Sequence, residues 1–260
     1  MSSSSALFRE WFWKIVDPLV FFGAVAQSLP TLFTKKGLRR REINYYLDLC
    51  GFQSVPIVIL ICMLMGGVTA ITAALQLRKF GTEIYTADLV SFAVFKEFGP
   101  LMVAMIATGR AGSAFAAEIG TMKVNEEISA LATMGIRPEA YLVLPKLIAM
   151  LVAMPLLTAI GDVAGVAGGM IVSLSYLDLP LTIYWEHTIR ILDSVIFLLS
   201  MLKGAVFSVL VSLCGCYCGF SAEGDAQGVG RGATRAVVSS IFFVVIADAV
   251  MTSIYSLFGY

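Results

Sequence analysis

The sequence predicts an all-α integral membrane protein with five transmembrane helices, an N-terminal interfacial helix and one short cytoplasmic helix. Three observations support this fold class. Of the 260 residues, 58% are hydrophobic and only 14% are charged, whereas soluble domains carry about 25% charged residues. Five apolar runs are long enough for a helix to cross the hydrocarbon core of a bilayer, which takes about 20 residues. These runs lack the alternation of polar and apolar residues that marks a membrane barrel.

The five predicted spans differ in the charged side chains that they carry into the membrane. The spans and their charges are 55–75, with none; 89–116, with Lys96 and Glu97, and with Arg110 near its end; 147–174, with Asp162; 196–220, with Lys203; and 236–258, with Asp248. A charge at the bilayer centre costs at least about 2.5–3.5 kcal/mol. We therefore expect these side chains either to pair as structural ions or to line a polar cavity.

Gly99 and Pro100 directly follow the charged pair Lys96 and Glu97 in the second predicted span. Proline has no backbone N–H, so we expect the helix to break there. A broken helix beside charged residues often marks a substrate site in membrane transporters. This position is therefore the first candidate for a binding cavity.

Lysine and arginine are distributed unevenly about the spans. They cluster before the first span, between the second and third, and between the fourth and fifth, and the opposite side has only Arg78, Lys79 and Arg190. Positive charge favours the cytoplasmic side, which predicts a cytoplasmic N-terminus and a C-terminus on the far side. Residues 1–50 are expected to form a cytoplasmic or interfacial amphipathic segment, and residues 51–260 one membrane domain.

The N-terminal segment has two features typical of the membrane surface. Trp11, Phe12 and Trp13 suit the headgroup boundary, and the basic residues of 35–41 suit anionic lipid. The alternative is an arm that packs only on its own protein.

Several function classes are disfavoured by what the sequence contains. The 18 Lys and Arg residues balance 18 Asp and Glu residues, so there is no basic field to attract nucleic acid. We find no catalytic motif and no metal-ligand spacing; Cys214, Cys216 and Cys218 alternate instead of showing the spacing of a zinc site. Residues 228–232 lack the phosphate-loop pattern and are expected to form a flexible loop, so we expect no catalytic residue, no metal and no cofactor in this chain.

Residues 95–135 contain the most unusual stretch of the sequence. Small residues fill 109–117, and from Glu118 the pattern becomes amphipathic, with Ile119, Met122 and Ile128 apolar and Glu126 polar. This pattern predicts a cytoplasmic helix over 118–131. Its polar side has more acids than bases, which favours docking to a cytosolic partner over lying on the bilayer surface.

Gly161, Gly165 and Gly169 recur every four residues in the third predicted span. This spacing lets two helices approach closely. The contact could be a homodimer seam or internal, and we favour internal packing.

Three motifs carry a family resemblance. They are K-E-F-G-P at 96–100, G-R-A-G-S-A at 109–114 and A-E-I-G-T-M-K-V-N-E-E-I at 117–128. With weaker matches farther along, the chain from Val55 to its C-terminus resembles the MlaE-type permeases. These are membrane subunits of ABC transporters that move phospholipids together with MCE proteins.

The resemblance implies partners and residue roles that the residues alone do not. It implies a permease homodimer in a bacterial inner membrane, a separate P-loop ATPase dimer that holds ATP and Mg, a periplasmic MCE-protein ring and, in some systems, a small STAS-domain protein. The chain itself would then be a transport subunit and not an enzyme. Glu118, Ile119, Met122, Glu126 and Ile128 would belong to a coupling helix that contacts the ATPase. The phospholipid cavity would be lined by Lys96, Glu97, Gly99, Pro100, Lys203 and Asp248.

Two other functions remain open at this stage. One is an ion-coupled secondary transporter that uses Glu97, Asp162 and Asp248 as a proton relay. The other is a scaffold that only anchors the MCE ring.

Overall fold

The structure, a computed structural model, describes residues 21–23, 25, 27, 40–176 and 180–257. The predicted interfacial residues Trp11, Phe12 and Trp13 and the basic residues 35–39 lie outside this described part. Within it, ten α-helices are bounded as α1 Arg40–Cys50, α2 Val55–Leu77, α3 Thr86–Ala93, α4 Gly99–Ala107, α5 Ser113–Val124, α6 Glu127–Thr133, α7 Pro138–Tyr176, α8 Leu181–Ile191, α9 Ser194–Phe220 and α10 Ala226–Leu257.

Five helical segments are long and apolar enough to cross a membrane, and the described residues form no strand. The segments are Arg40–Phe80, Glu83–Val124, Pro138–Tyr176, Ser194–Phe220 and Ala226–Leu257. The all-α fold with five spans is thereby confirmed, and the chain is a multi-pass membrane protein.

The second span is continuous at Pro100, so the predicted break there is wrong. Helices α3, α4 and α5 are joined by two five-residue π-helical turns, Val94–Phe98 and Thr108–Gly112. A π turn carries one extra residue within a helix, and Pro100 falls in the first turn of α4, where a missing N–H is tolerated. The wider turn therefore absorbs the proline without ending the span.

The helices are longer than the predicted spans. Helix α7 has 39 residues, or about 58 Å at about 1.5 Å per residue, against a hydrocarbon core of about 30 Å. Lys146, which directly precedes the predicted third span, lies within α7, and Arg231 lies within α10. The predicted flexible loop at 228–232 is also helical, because Asp225 accepts a hydrogen bond from the Gly228 backbone N–H at 2.6 Å and caps α10.

The bundle has two ends, which we name by the short helices that lie there. At the α6 end, Lys123 of α5 donates to the Phe220 carbonyl of α9 at 2.7 Å. At the α8 end, His187 of α8 lies 3.0 Å from Asp88 of α3. Helix α6 itself is closed by Gly135, whose φ of 73° suits glycine.

Helix α7 is the central span and α10 the most peripheral. Within the apolar window of each, 56% of residues are buried in α7 and 17% in α10. Helix α7 packs between α2 and α9, and the largest core side chains at the α6 half of the bundle include Phe115, Met150 and Phe207. The outer side of α10 is therefore exposed over most of its length.

Candidate functional site

A buried ammonium group joins three membrane spans at the α8 half of the bundle. Lys203 is only 1% exposed, and its Nζ lies 2.7 Å from Asp248 Oδ1 of α10 and 3.1 Å from Glu97 Oε2 of the first π turn. The hydroxyl of Thr252 accepts from Lys203 at 2.8 Å and donates to Glu97 Oε1 at 2.7 Å. One ammonium thus meets two carboxylates, and the four side chains form a single polar network.

The fourth acceptor of this ammonium is a backbone group. Lys203 Nζ donates to the Lys96 carbonyl at 2.8 Å. In a regular helix that carbonyl accepts from the residue four positions later, which here is Pro100 and has no N–H. The proline therefore leaves the Lys96 carbonyl available to Lys203, and the motif K-E-F-G-P supplies both a carboxylate and a carbonyl to one cation.

A narrow, partly open cavity of about 20 Å³ lies directly beside the network. Its lining residues are Phe92, Phe95, Lys96, Ile196, Leu199, Ser200, Lys203 and Tyr255. The Lys96 ammonium lies 4.7 Å from the centre of the Phe92 ring, a cation–π contact. The cavity is therefore mainly apolar, with parts of the Lys96 and Lys203 side chains in its lining.

Asp162 lies deeper, in the middle of α7, and is fully buried. Its Oδ2 accepts from the Ser200 hydroxyl at 2.6 Å, whereas Oδ1 has no hydrogen-bond partner among the described residues. That oxygen lies against the Cα of Gly99, where any larger residue would collide with it. Gly99 is thus needed for the close approach of α7 to the second span.

Of the six residues predicted for the cavity, Lys96 and Lys203 line it and the other four do not. Lys96, Glu97, Lys203 and Asp248 form or adjoin the network, and Gly99 and Pro100 shape the helix beside it. Sequence reasoning missed Thr252 and Ser200. Thr252 follows Asp248 by four residues and Ser200 precedes Lys203 by three, so helical spacing from the charged residues would have found both.

The residues predicted for the coupling helix do not lie on one helix. Glu118, Ile119 and Met122 belong to α5, which ends at Val124, and Ile128 belongs to α6. Glu126 separates the two helices with a left-handed φ of 59°. The prediction of a single helix over 118–131 is therefore wrong, because the chain turns at residues 125–126; the role of these residues in coupling stays a prediction.

The five residues also differ in exposure. Ile119 is buried in the core, Ile128 packs against it, and Glu126 is exposed at the turn. Glu118 faces inward, and its Oε1 accepts from Tyr46 of α1 at 2.6 Å and from Lys146 of α7 at 3.1 Å. Of these five residues, only Glu126, at the turn between α5 and α6, is fully exposed.

The three predicted packing glycines lie at contacts inside the chain. A Cβ at Gly161 would lie 3.0 Å from both Cys62 Sγ of α2 and Val103 of α4, and one at Gly165 would lie 2.8 Å from Val94. Gly169 faces Val90 and the Tyr184 hydroxyl. These glycines let α7 sit close to the first and second spans.

Comparison with known proteins connects this geometry to a family. The model of the family described as Permease MlaE matches residues 44–254. A probable ABC transporter permease protein of Rickettsia prowazekii is 36% identical over 205 residues, or 79% of each chain. One from Synechocystis sp. is 30% identical over 238 residues, which is 92% of this chain and 89% of that protein.

A plant protein is similar over nearly the whole chain. Protein TRIGALACTOSYLDIACYLGLYCEROL 1 of Arabidopsis thaliana, a chloroplastic protein, is 31% identical over 246 residues, which is 95% of this chain and 69% of that protein. The family match includes the network around Lys203, the π turn before Pro100 and the turn at Glu126. The chain is a membrane protein of the MlaE permease family, whose similar members are named as ABC transporter permeases.

Proposed function

We propose that this permease moves phospholipid across or out of a bacterial inner membrane, driven by ATP hydrolysis in a separate P-loop subunit. The observation that carries the proposal is the narrow cavity beside Lys203, which has aromatic and aliphatic walls and the side chains of Lys96 and Lys203 in its lining. A phospholipid has the matching parts, because its phosphate is anionic and its chains are apolar. The Arabidopsis relative is named after a lipid, trigalactosyldiacylglycerol, and that name is consistent with this substrate class.

The polar network gives the cavity its selectivity in this proposal. Glu97 and Asp248 together hold Lys203, so Lys96 on the cavity wall is the first candidate for contact with a phosphate. A lysine offers a compact point charge instead of a bidentate fork. We therefore expect Lys96 to favour anionic headgroups in general, without strong discrimination between them.

The cavity of about 20 Å³ is too small for a lipid headgroup, so we propose that a second copy of the permease completes the site. Helix α10 supplies Asp248 and Thr252 to the network, yet its outer side is exposed. Close packing of two α10 helices would place the two networks on either side of one shared space. The MCE-protein ring, and a STAS-domain protein where present, would be further partners.

The α6 end would face the cytosol and receive the ATPase. The turn at Glu126, with Glu127 beside it, is an acidic and exposed feature there, and the strained φ of Glu126 is typical of functional turns. Motion of this turn would reach the cavity along the second span, because α5 and the π turn that carries Glu97 are parts of one continuous helix.

Reconstitution tests the proposal directly. The permease and its co-purifying ATPase are placed in vesicles that contain a fluorescent phospholipid, and lipid movement is followed with and without ATP. Lys96→Met should lower ATP-dependent movement, whereas Lys79→Met should not, because Lys79 is an exposed lysine at the α8 end, remote from the cavity. Equal activity of the two variants would contradict the assignment of Lys96.

The ion-coupled alternative has one observation in its favour. Ser200 both lines the cavity and donates to Asp162, so a buried carboxyl lies one hydroxyl away from the space beside Glu97. Under this alternative, an uncoupler abolishes lipid movement. Under our proposal, movement survives the uncoupler and stops when the Walker lysine of the ATPase is replaced.

A further inference from the structure

A second buried lysine forms a polar node at the α6 half of the bundle, remote from the cavity. Lys146 of α7 is 1% exposed, and its Nζ donates to the Tyr46 hydroxyl at 2.7 Å and lies 3.1 Å from Glu118 Oε1. The Tyr46 hydroxyl donates in turn to the same Glu118 oxygen at 2.6 Å. The three side chains therefore close a triangle between α1, α5 and α7.

Aromatic rings complete the surroundings of this ammonium. Lys146 Nζ lies 4.4 Å from the centre of the Tyr46 ring and 5.8 Å from that of Phe115, and the two rings meet edge to face at 5.7 Å. Among the described residues, Glu118 is the one carboxylate paired with this buried cation. The pair is half-buried, because the Glu118 side chain is 39% exposed, and burying an ammonium in such a pair is a poor source of net stability compared with apolar packing.

A second contact ties the same part of the chain to the second span. Arg110, in the second π turn, donates through Nη1 to the Gln53 carbonyl and to the Ser54 hydroxyl, the latter at 3.1 Å. Gln53 and Ser54 form the short bend between α1 and α2. Helix α1 and the bend after it are thus held to the second span at two levels, by Glu118 and by Arg110.

The node lies close to the exposed turn at the α6 end. Glu118 lies six residues, or about 9 Å, before the end of α5 at Val124, and Glu126 follows two residues later. Helix α1 carries exposed Arg40 and Arg41 on one side and buries Ile43 and Tyr46 on the other, a pattern suited to a helix at the membrane surface. A displacement of the turn would therefore act on a helix that reaches the lipid headgroups.

We propose that Tyr46 and Lys146 are positioning residues that join α1 to the end of α5 as one rigid unit. This unit would transmit displacement of the α5–α6 turn to α1. The inference rests on the proposed function for the source of the displacement, which is the cycle of the ATPase. It assigns α1 a part in lipid movement in addition to the spans that surround the cavity.

Adjacent tyrosines provide a matched pair of variants. Tyr46→Phe keeps the ring but removes the hydroxyl that bridges Lys146 and Glu118, whereas Tyr45→Phe removes a hydroxyl from a side chain that is 61% exposed. Loss of a hydrogen bond to a charged group changes an equilibrium constant by roughly tenfold. We expect Tyr46→Phe to lower the number of lipids moved per ATP hydrolysed by up to about tenfold, and Tyr45→Phe to leave this ratio unchanged.

The ratio separates a positioning role from a structural one, because loss of folded protein lowers transport and hydrolysis together. An unchanged ratio in Tyr46→Phe overturns the inference. If the wild-type complex hydrolyses ATP without moving lipid, the proposed function fails instead, and the inference is then decided by the distance measurement that follows.

Spin labels measure the rigid unit itself. Labels are placed at exposed Asn44 of α1 and Thr121 of α5 after replacement of the partly exposed Cys218 by serine. The distance between them should stay constant in the wild-type complex when a non-hydrolysable nucleotide is added and should change in Tyr46→Phe. A nucleotide-dependent change in the wild type overturns the inference, and so does a constant distance in both proteins.

Discussion

Lys203 donates a hydrogen bond to the backbone carbonyl of Lys96, 2.8 Å away on a different span. The carbonyl is available because Pro100 cannot donate to it. The same ammonium holds Glu97 and Asp248, so three distant parts of the chain meet at one buried nitrogen. This arrangement makes the network both a structural joint of the bundle and a wall of the candidate lipid cavity.

The first prediction concerns this ammonium. Lys203→Met keeps the length of the side chain but leaves Glu97 and Asp248 facing each other without a cation. We expect the free energy of unfolding to fall by about 3 kcal/mol, as for other buried pairs that lose one partner. Thermal unfolding of the purified protein measures the loss.

A triple variant provides the control for that experiment. Adding Glu97→Gln and Asp248→Asn to Lys203→Met removes the uncompensated charges, so most of the stability should return while ATP-dependent lipid movement stays low. Recovery of transport in the triple variant would mean that these charges only hold the helices together.

The second prediction separates a structural from a proton-carrying role for Asp162. Asp162→Asn keeps an acceptor for the Ser200 hydroxyl, which now donates at 2.6 Å. We expect folding and ATP-dependent lipid movement to be retained, with a change in the free energy of unfolding below about 1.5 kcal/mol. Asp162→Leu should be more harmful, because it leaves the buried Ser200 hydroxyl without that acceptor. A folded Asp162→Asn protein without transport would support the ion-coupled alternative.

The third prediction tests the helix contact at the glycines. A Cβ at Gly66 of α2 would collide with the carbonyl of Gly165 in α7, and a backbone atom cannot turn aside. Gly66→Ala should therefore lower the free energy of unfolding by about 1–3 kcal/mol. The matched change Gly230→Ala in α10 meets no atom within 4 Å and should leave stability unchanged or raise it, by up to about 1 kcal/mol. Equal thermal midpoints for both variants would contradict the close contact between Gly66 and the Gly165 carbonyl.

The fourth prediction concerns docking of the ATPase at the α6 end. Glu126→Lys reverses an exposed charge. It introduces no glycine, so the conformational freedom of the backbone at this turn stays similar. We expect ATPase binding to weaken about three- to tenfold, since turning an exposed attraction into repulsion changes the binding free energy by roughly 1 kcal/mol. Titration of the ATPase against the immobilised permease measures this change.

An equivalent reversal at the other end serves as its control. Glu186 is an exposed residue of α8. The variant Glu186→Lys should leave ATPase binding unaltered. Neither variant should shift the thermal midpoint of the permease alone. Undiminished binding by Glu126→Lys would remove this turn from the docking site.

Local properties of the chain were sufficient to predict the number of spans and most residues of the site. Hydrophobicity is a sum over neighbouring residues, so five apolar runs predict five helices whatever their arrangement. The cost of an intramembrane charge is also local, and it singled out Lys96, Glu97, Lys203 and Asp248. The glycine spacing in α7 identified a close-packing face in the same way.

Only the tertiary structure decided which of these residues meet. Lys203 is 106 residues from Glu97 and 45 from Asp248, and each residue turns a helix by about 100°, so pairing depends on how whole helices are rotated against one another. The π turn that absorbs Pro100 and the inward direction of Glu118 toward Lys146 have the same origin. The sequence by itself determined that charges enter the membrane, and helix packing determined which of them meet, in one node around Lys203 and another around Lys146.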